Sequence, residues 1–407
     1  MGPAALCTPR HSRNHGAACR GLPALPPSAV TGAFFVKGVG YPRVDVPLSL
    51  VFFVCVWLGT AGMADAQYSI VDLGDLGGGF ARARAVNGLG QVAGEALLPG
   101  AGTVDRAVLW QAGTLMDLGT LGGQQSAGLG INNAGTVCGW AQDASGHTLP
   151  ALWNGSVVTS LPTLGGTAGT AWGINDAGTA SGLSYLSSGG YHATLWNAGG
   201  VGDLGTLGGG YSVAYDINNP GEAVGTASNS SGSDRAVLWG PGGPTDLGGL
   251  SGGRWTAAYA VNDTGGVILW GTPQGATQNR AAFWNGDAAS PVISLGTFGG
   301  NQSWAYGLND HGFVVGSADE PIGTYHAFVW DGAEMVDLGT MGGDFSLAYG
   351  INNQGIIVGW AMDALGQTHA VEWVPVPEPS ALLLGLPGGG LVWLWASRRR
   401  QPRLARR

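Results

Sequence analysis

The side chains in this sequence that could do chemistry come in series. A basic residue opens a five-residue phrase ending in tryptophan at Arg106–Trp110, His192–Trp196, Arg235–Trp239, Arg280–Trp284, His326–Trp330 and His369–Trp373, and Leu149 takes its place in the copy ending at Trp153. Histidine there could ligate a metal or move a proton. Arginine does neither, because its guanidinium stays protonated and has no lone pair to give. A role common to the series is therefore a hydrogen bond to the next unit or an ion pair with a nearby carboxylate. Asp72, Asp117, Asp203, Asp246 and Asp337 each precede Leu-Gly, where a carboxylate accepts turn N–H bonds. The seven phrase-ending tryptophans would make a sugar-stacking ring, but a large aromatic present in every unit is what packs units together. Trp140, Trp172, Trp255, Trp304 and Trp360 do not recur in every unit, and of these Trp140 and Trp360 are the candidate ligand contacts. There is no Gly-x-Ser-x-Gly elbow, His-Glu-x-x-His pair, phosphate loop or Asp-x-Asp-x-Asp-Gly calcium loop. The sequence thus names no catalytic residue, no cofactor and no metal site, and it reads as a non-enzyme.

The elements that must position these residues follow from repetition. The phrase Asp-Leu-Gly-Thr-Leu-Gly-Gly stands at 117–123 and 203–209, with looser copies at 72–78, 160–166, 246–253, 294–300 and 337–343. A second phrase, apolar-Asn-x-x-Gly, occurs at 86–90, 131–135, 174–178, 217–221, 261–265, 308–312 and 351–355, its asparagines 45, 43, 43, 44, 47 and 43 residues apart. In 346–361 two apolar runs flank Asn-Asn-Gln-Gly, a hairpin signal in which asparagine bonds its own backbone and glycine takes the left-handed position. Pro220 in the fourth copy predicts a different turn there. The tryptophan phrase supplies a third strand and the run into Asp-Leu-Gly a fourth. Four antiparallel strands per 43 or so residues is the size of a propeller blade. Residues 68–74 read as a fourth strand with no first three ahead of it, and the last unit stops after 369–373 without its own fourth. Pairing of these two closes an all-β, seven-bladed propeller; a linear β-array is the alternative.

Composition agrees. Glycine stands at 76 of 407 positions without the three-residue period of collagen, and 44% hydrophobic content with 16 tryptophans is too apolar for a disordered chain. Between Gln67 and Glu378 six arginines face 24 Asp and Glu, about −18 with no lysine, a surface that repels phosphate backbones. Cys7, Cys19 and Cys55 fall in the N-terminal segment, which leaves Cys138 alone and reads it as a buried structural thiol.

The ends read as addresses. After basic residues up to Arg43, an apolar run from Val46 to Leu58 leads to Ala64-Asp65-Ala66, the order of a secretory signal peptide with signal-peptidase recognition at Ala64 and Ala66. Residues 1–66 are then extension and signal peptide, 67–375 the propeller and 376–407 a tail. That tail carries Val376-Pro377-Glu378-Pro379-Ser380, an apolar segment 381–396 broken by Pro387, and a basic flank with Arg398, Arg399 and Arg400 that stays cytoplasmic. Motif, segment and basic tail together resemble the PEP-CTERM sorting signal of Gram-negative bacteria. The resemblance implies processing by an exosortase, transient inner-membrane association through 381–396, and a link to exopolysaccharide and biofilm. The repeated phrases, with His-Ala-Phe at 326–328, resemble the HAF-type extracellular repeat, which implies export. The expected protein is a surface or matrix interaction module. A lectin-like polysaccharide-binding propeller is the alternative, and a glycan hydrolase or lyase a third reading.

Overall fold

The computed structural model describes residues 68–376 except 101, 103, 249–255 and 288. The signal-peptidase positions Ala64 and Ala66, the motif residues Pro377, Glu378, Pro379 and Ser380, the segment 381–396, Arg398, Arg399, Arg400 and Trp255 lie outside the described residues. Every named element is a β-strand. Among the described residues no helix is long and apolar enough to cross a membrane.

The second repeat shows how one unit is built. Strands Gly122–Ile131, Thr136–Asp143, Thr148–Asn154 and Val157–Ser160 pair antiparallel in sequence order. The first turn is closed by the Gly135 N–H on the Asn132 carbonyl at 3.0 Å, with Gly135 at φ 78°. Pro220 does not change this turn as expected: Gly221 N–H still bonds the Asn218 carbonyl, at 3.1 Å. The Asp-Leu-Gly phrase makes the link between units. Asp117 Oδ1 accepts the Gly119 N–H at 2.8 Å, Ser126 Oγ donates to the Gly119 carbonyl at 2.8 Å, and the same Oγ accepts the Ala107 N–H at 2.9 Å. The phrase therefore pins the end of one unit to the third strand behind it and the first strand ahead.

Closure is as expected. Strand Tyr68–Asp72 pairs antiparallel with Thr368–Pro375, from Tyr68 opposite Pro375 to Asp72 opposite Val371. This excludes the linear array. The expectation of seven separate blades needs one correction. Five four-stranded sheets stand alone, and the remaining strands form one eight-stranded sheet. Its halves, Ser303–Asp337 and Gly342–Pro375 with Tyr68–Asp72, are joined by one parallel bridge between Tyr325 and Phe345. The two rings lie 4.8 Å apart beside that bridge.

The core is distributed around the ring. Seven apolar clusters each join two consecutive repeats, the last of them joining Val358 and Ala370 to Ala81, Val92 and Trp110 across the closure. The packing role of the recurring tryptophans holds for Trp110, Trp153, Trp196, Trp239, Trp330 and Trp373, which are buried, while Trp284 is half-buried. Three of them also reach the link of the preceding unit, Trp110 donating to the Gly74 carbonyl, Trp196 to Pro162 and Trp373 to Leu338. Cys138 is a buried free thiol whose pKa burial pushes up, as its structural role requires.

Candidate functional site

Four of the six basic residues in the series form strand clasps. His192 Nδ1 lies 2.8 Å from Asp203, Arg235 Nε 3.1 Å from Asp246, His326 Nδ1 2.9 Å from Asp337 and His369 Nδ1 3.0 Å from Asp72. Each ties a third strand to its fourth, the last across the ring closure. Each of these aspartates also accepts the N–H of the glycine two residues on. Arg280 instead donates to the Asn279 carbonyl at 3.0 Å. Glu320, His326 and Asp337 bring three potential ligand atoms within 4.8 Å of one another. The carboxylates meet opposite nitrogens of the ring, Asp337 on Nδ1 and Glu320 on Nε2 at 3.9 Å, so they hold the imidazole rather than share a point with it.

The feature with chemistry to offer is the central channel. Each innermost strand shows a one-residue register shift at an equivalent place, between Ala83 and Ala85, Gly128 and Gly130, Ala171 and Gly173, Ala214 and Asp216, Ala258 and Ala260, Ala305 and Gly307, and Ala348 and Gly350. The extra residue of a bulge is left out of the ladder and its side chain is re-aimed. Here the extra residues are Arg84, Leu129, Trp172, Tyr215, Tyr259, Tyr306 and Tyr349. Together they line a cavity of about 270 Å³ at one end of the channel.

Six of the seven are in contact around this collar. Trp172 meets Tyr215 edge-on at 5.9 Å, and Tyr215 stacks on Tyr259 at 4.5 Å and 8°. Tyr259 meets Tyr306 at 5.6 Å, and Tyr306 meets Tyr349 at 5.4 Å. The Arg84 guanidinium lies 4.4 Å above the Tyr349 ring and bonds Glu95 at 2.6 Å. Burial pushes the phenols of Tyr215, Tyr259 and Tyr306 up, so they remain neutral hydroxyls able to donate.

The other end is amide and carboxylate. Each asparagine of the second phrase donates Nδ2 to the carbonyl of the next, Asn87 to Asn132 and onward until Asn352 returns to Asn87, all at 3.0 or 3.1 Å. Outside it runs a second series in which Asn133, Asp176, Asn219, Asp263, Asp310 and Asn353 each accept the backbone N–H of the preceding repeat's turn. Both rings line a second cavity of about 220 Å³.

The sequence did not single out this site. Trp140 is half-buried and Trp360 only 6% exposed, and neither lines the channel; Trp360 packs edge-on against Tyr325 at 6.2 Å. Among the described irregular tryptophans, Trp172 reaches the channel. Val376, the one motif residue described, is exposed. A signal for the collar was present: its residues stand three places before each ring asparagine.

No family model matches the chain, and no curated protein matches it significantly. Solved propeller structures do. TolB from Acinetobacter baumannii aligns at 13% identity over 70% of this chain with a TM-score of 0.42, and the match spans only 63% of that protein. The acylaminoacyl peptidase of Pyrococcus horikoshii aligns at 11% over 72% of this chain and 51% of its own, TM-score 0.46. The BP39L lectin from Burkholderia pseudomallei aligns at 10% over 76% of this chain and 96% of its own, TM-score 0.41. These chains are similar in fold and include both enzymes and non-enzymes.

Proposed function

We propose that the chain is an exported, non-catalytic binding propeller that acts at the cell surface or in the extracellular matrix and takes a carbohydrate at the aromatic end of its channel. The observation behind the binding half is the collar. Scaffold positions repeat because they do one job seven times, whereas the bulged position changes from arginine to leucine to tryptophan to tyrosine around the ring. A channel-facing position released from repetition is where a ligand can be selected, and neutral phenols with aromatic edges suit the hydroxyls and C–H groups of a sugar. The export half rests on the sequence. Signal peptidase would act at Ala64 and Ala66, and an exosortase would process the Val376–Ser380 motif while 381–396 holds the chain transiently in the inner membrane. The host's exopolysaccharide is the natural partner.

The test is retention of the exported protein on that polysaccharide, with and without calcium, followed by analysis of the supernatant for oligosaccharides. Saturable retention without products, weakened at least tenfold by Tyr259→Ala, is the expected result. Released oligosaccharides would make the protein a hydrolase or lyase. Absence of retention by folded protein would remove the carbohydrate reading.

A further inference from the structure

The collar has a charged floor. Two places before each ring asparagine stand Ala85, Gly130, Gly173, Ala260, Gly307 and Gly350, but in the fourth repeat Asp216. Small residues belong at this layer because consecutive strands crowd there. A Cβ on Gly130 would come within 2.9 Å of the Trp172 carbonyl oxygen, one on Gly173 within 2.9 Å of Asp216 Cα, and one on Gly307 within 2.7 Å of the Tyr349 carbonyl oxygen. Asp216 therefore departs from the scaffold where departure is least tolerated. Its Oδ2 accepts the Val261 N–H at 3.0 Å, and it shares a cavity of about 190 Å³ with all seven collar residues. Burial pushes its carboxyl up to about 7, and Asp263, a like charge, adds to that. The collar's one cation, Arg84, is tied to Glu95.

Resting on the carbohydrate reading above, we infer that the channel is selective for a sugar bearing a free amine, its ammonium directed to Asp216 and its ring lodged against the tyrosines. An ammonium gains from aromatic rings and from a carboxylate with lone pairs to spare. The strong excess of Asp and Glu between Gln67 and Glu378 draws a cation and repels an anionic polymer.

The exported protein, Asp216→Asn and Asp216→Ala are titrated calorimetrically with glucosamine oligomers and with N-acetylglucosamine oligomers of equal length, at about pH 7.4, above the value of about 7 to which Asp216 is raised and below the ~7.7–8.0 of an α-amino group, so that carboxylate and ammonium are both charged. The asparagine variant keeps an oxygen for the Val261 N–H, and alanine already stands at this position in two other repeats, so both variants should fold; thermal unfolding checks this. The expected result is a preference of about tenfold for the free amine in the wild type, ~1.4 kcal/mol, falling to parity in both variants. Equal affinity of the wild type for the two oligomers, or a preference that survives both substitutions, overturns the ammonium inference and leaves the carbohydrate reading standing. Binding of neither oligomer overturns both.

Discussion

Asn132 uses its amide twice. Its Oδ1 accepts the N–H groups of Ala134 and Thr136 within its own turn, at 3.1 and 3.0 Å, while Nδ2 donates to Asn175 at 3.1 Å in the next repeat. Asn132→Ala removes both roles at a buried site, and urea unfolding should show a loss of about 2–4 kcal/mol, the cost of several buried backbone groups left unpaired. Asn132→Asp keeps the turn but sets a carboxylate against a carbonyl; acidification should restore part of its stability, because the protonated oxygen can donate. Two native carboxylates should pull stability in opposite directions with pH. Asp363 is held below the usual range, first by the Gln367 N–H and further by the Leu365 N–H and His369. Its contribution is present above pH ~4 and lost as pH falls through its folded value. Asp216 is raised to about 7, first by burial and further by the like charge of Asp263. Between pH ~4 and 7 the folded state holds a proton that the unfolded chain has released, so stability falls as pH rises through that window. Thermal melts across pH should show Asp216→Asn removing the fall toward neutrality and Asp363→Asn flattening the acid limb. A variant that leaves its own limb unchanged would refute that assignment.

At the scale of strands, the bulge decides what a substitution does. Leu129 is the extra residue of the innermost strand and faces the channel, whereas Ala127, two places earlier, is fully buried in that strand. Leu129→Tyr should extend the collar between Arg84 and Trp172 and change stability by less than about 1 kcal/mol in urea unfolding. Ala127→Leu should cost about 1–3 kcal/mol or more, because a packed interior has no room for added methylenes. The same contrast shows what the sequence could and could not reveal. Turns were legible because Asn-x-x-Gly has its own backbone chemistry, and the clasps because what histidine and arginine share is hydrogen-bond donation, for which a nearby carboxylate is a strong acceptor. Pro220 misled because the closing hydrogen bond survives the proline. The collar stayed hidden because no glycine or proline marks a bulge at residue 84 or 259, and because the alternation of a strand, counted through a bulge, loses its phase. The asparagine ring stayed hidden for another reason: turn chemistry accounted for Oδ1, while the partner of Nδ2 lies a whole repeat away.

At the scale of the molecule, the ring is closed by a strand from one end of the domain lying on a strand from the other. In four complete units the third and fourth strands are joined by two-residue loops, as the facing pairs Asn154–Val157 and Asn197–Gly200 show. Tyr68 faces Pro375 in the same way, with no covalent link between them. A permutant that opens the chain in the link at Gly78, and joins Pro375 to Tyr68 through Asn-Gly, would give the closing unit the hairpin four others already have. It preserves the strand pairing, the His369–Asp72 clasp and the cluster in which Leu73 and Leu76 pack beside Trp110. Thermal unfolding should place this permutant within a few degrees of the natural order, since only a loop closure has been exchanged. Deletion of Tyr68–Asp72 makes the opposite change. It strips the partner from Thr368–Pro375, and a bare edge of that kind templates association with other chains. The truncated protein should melt well below the parent and elute as aggregates in size-exclusion chromatography. If the truncated protein instead stays monomeric and as stable as the parent, the pairing of the ends is dispensable and the ring is held by its asparagines and inter-repeat clusters alone.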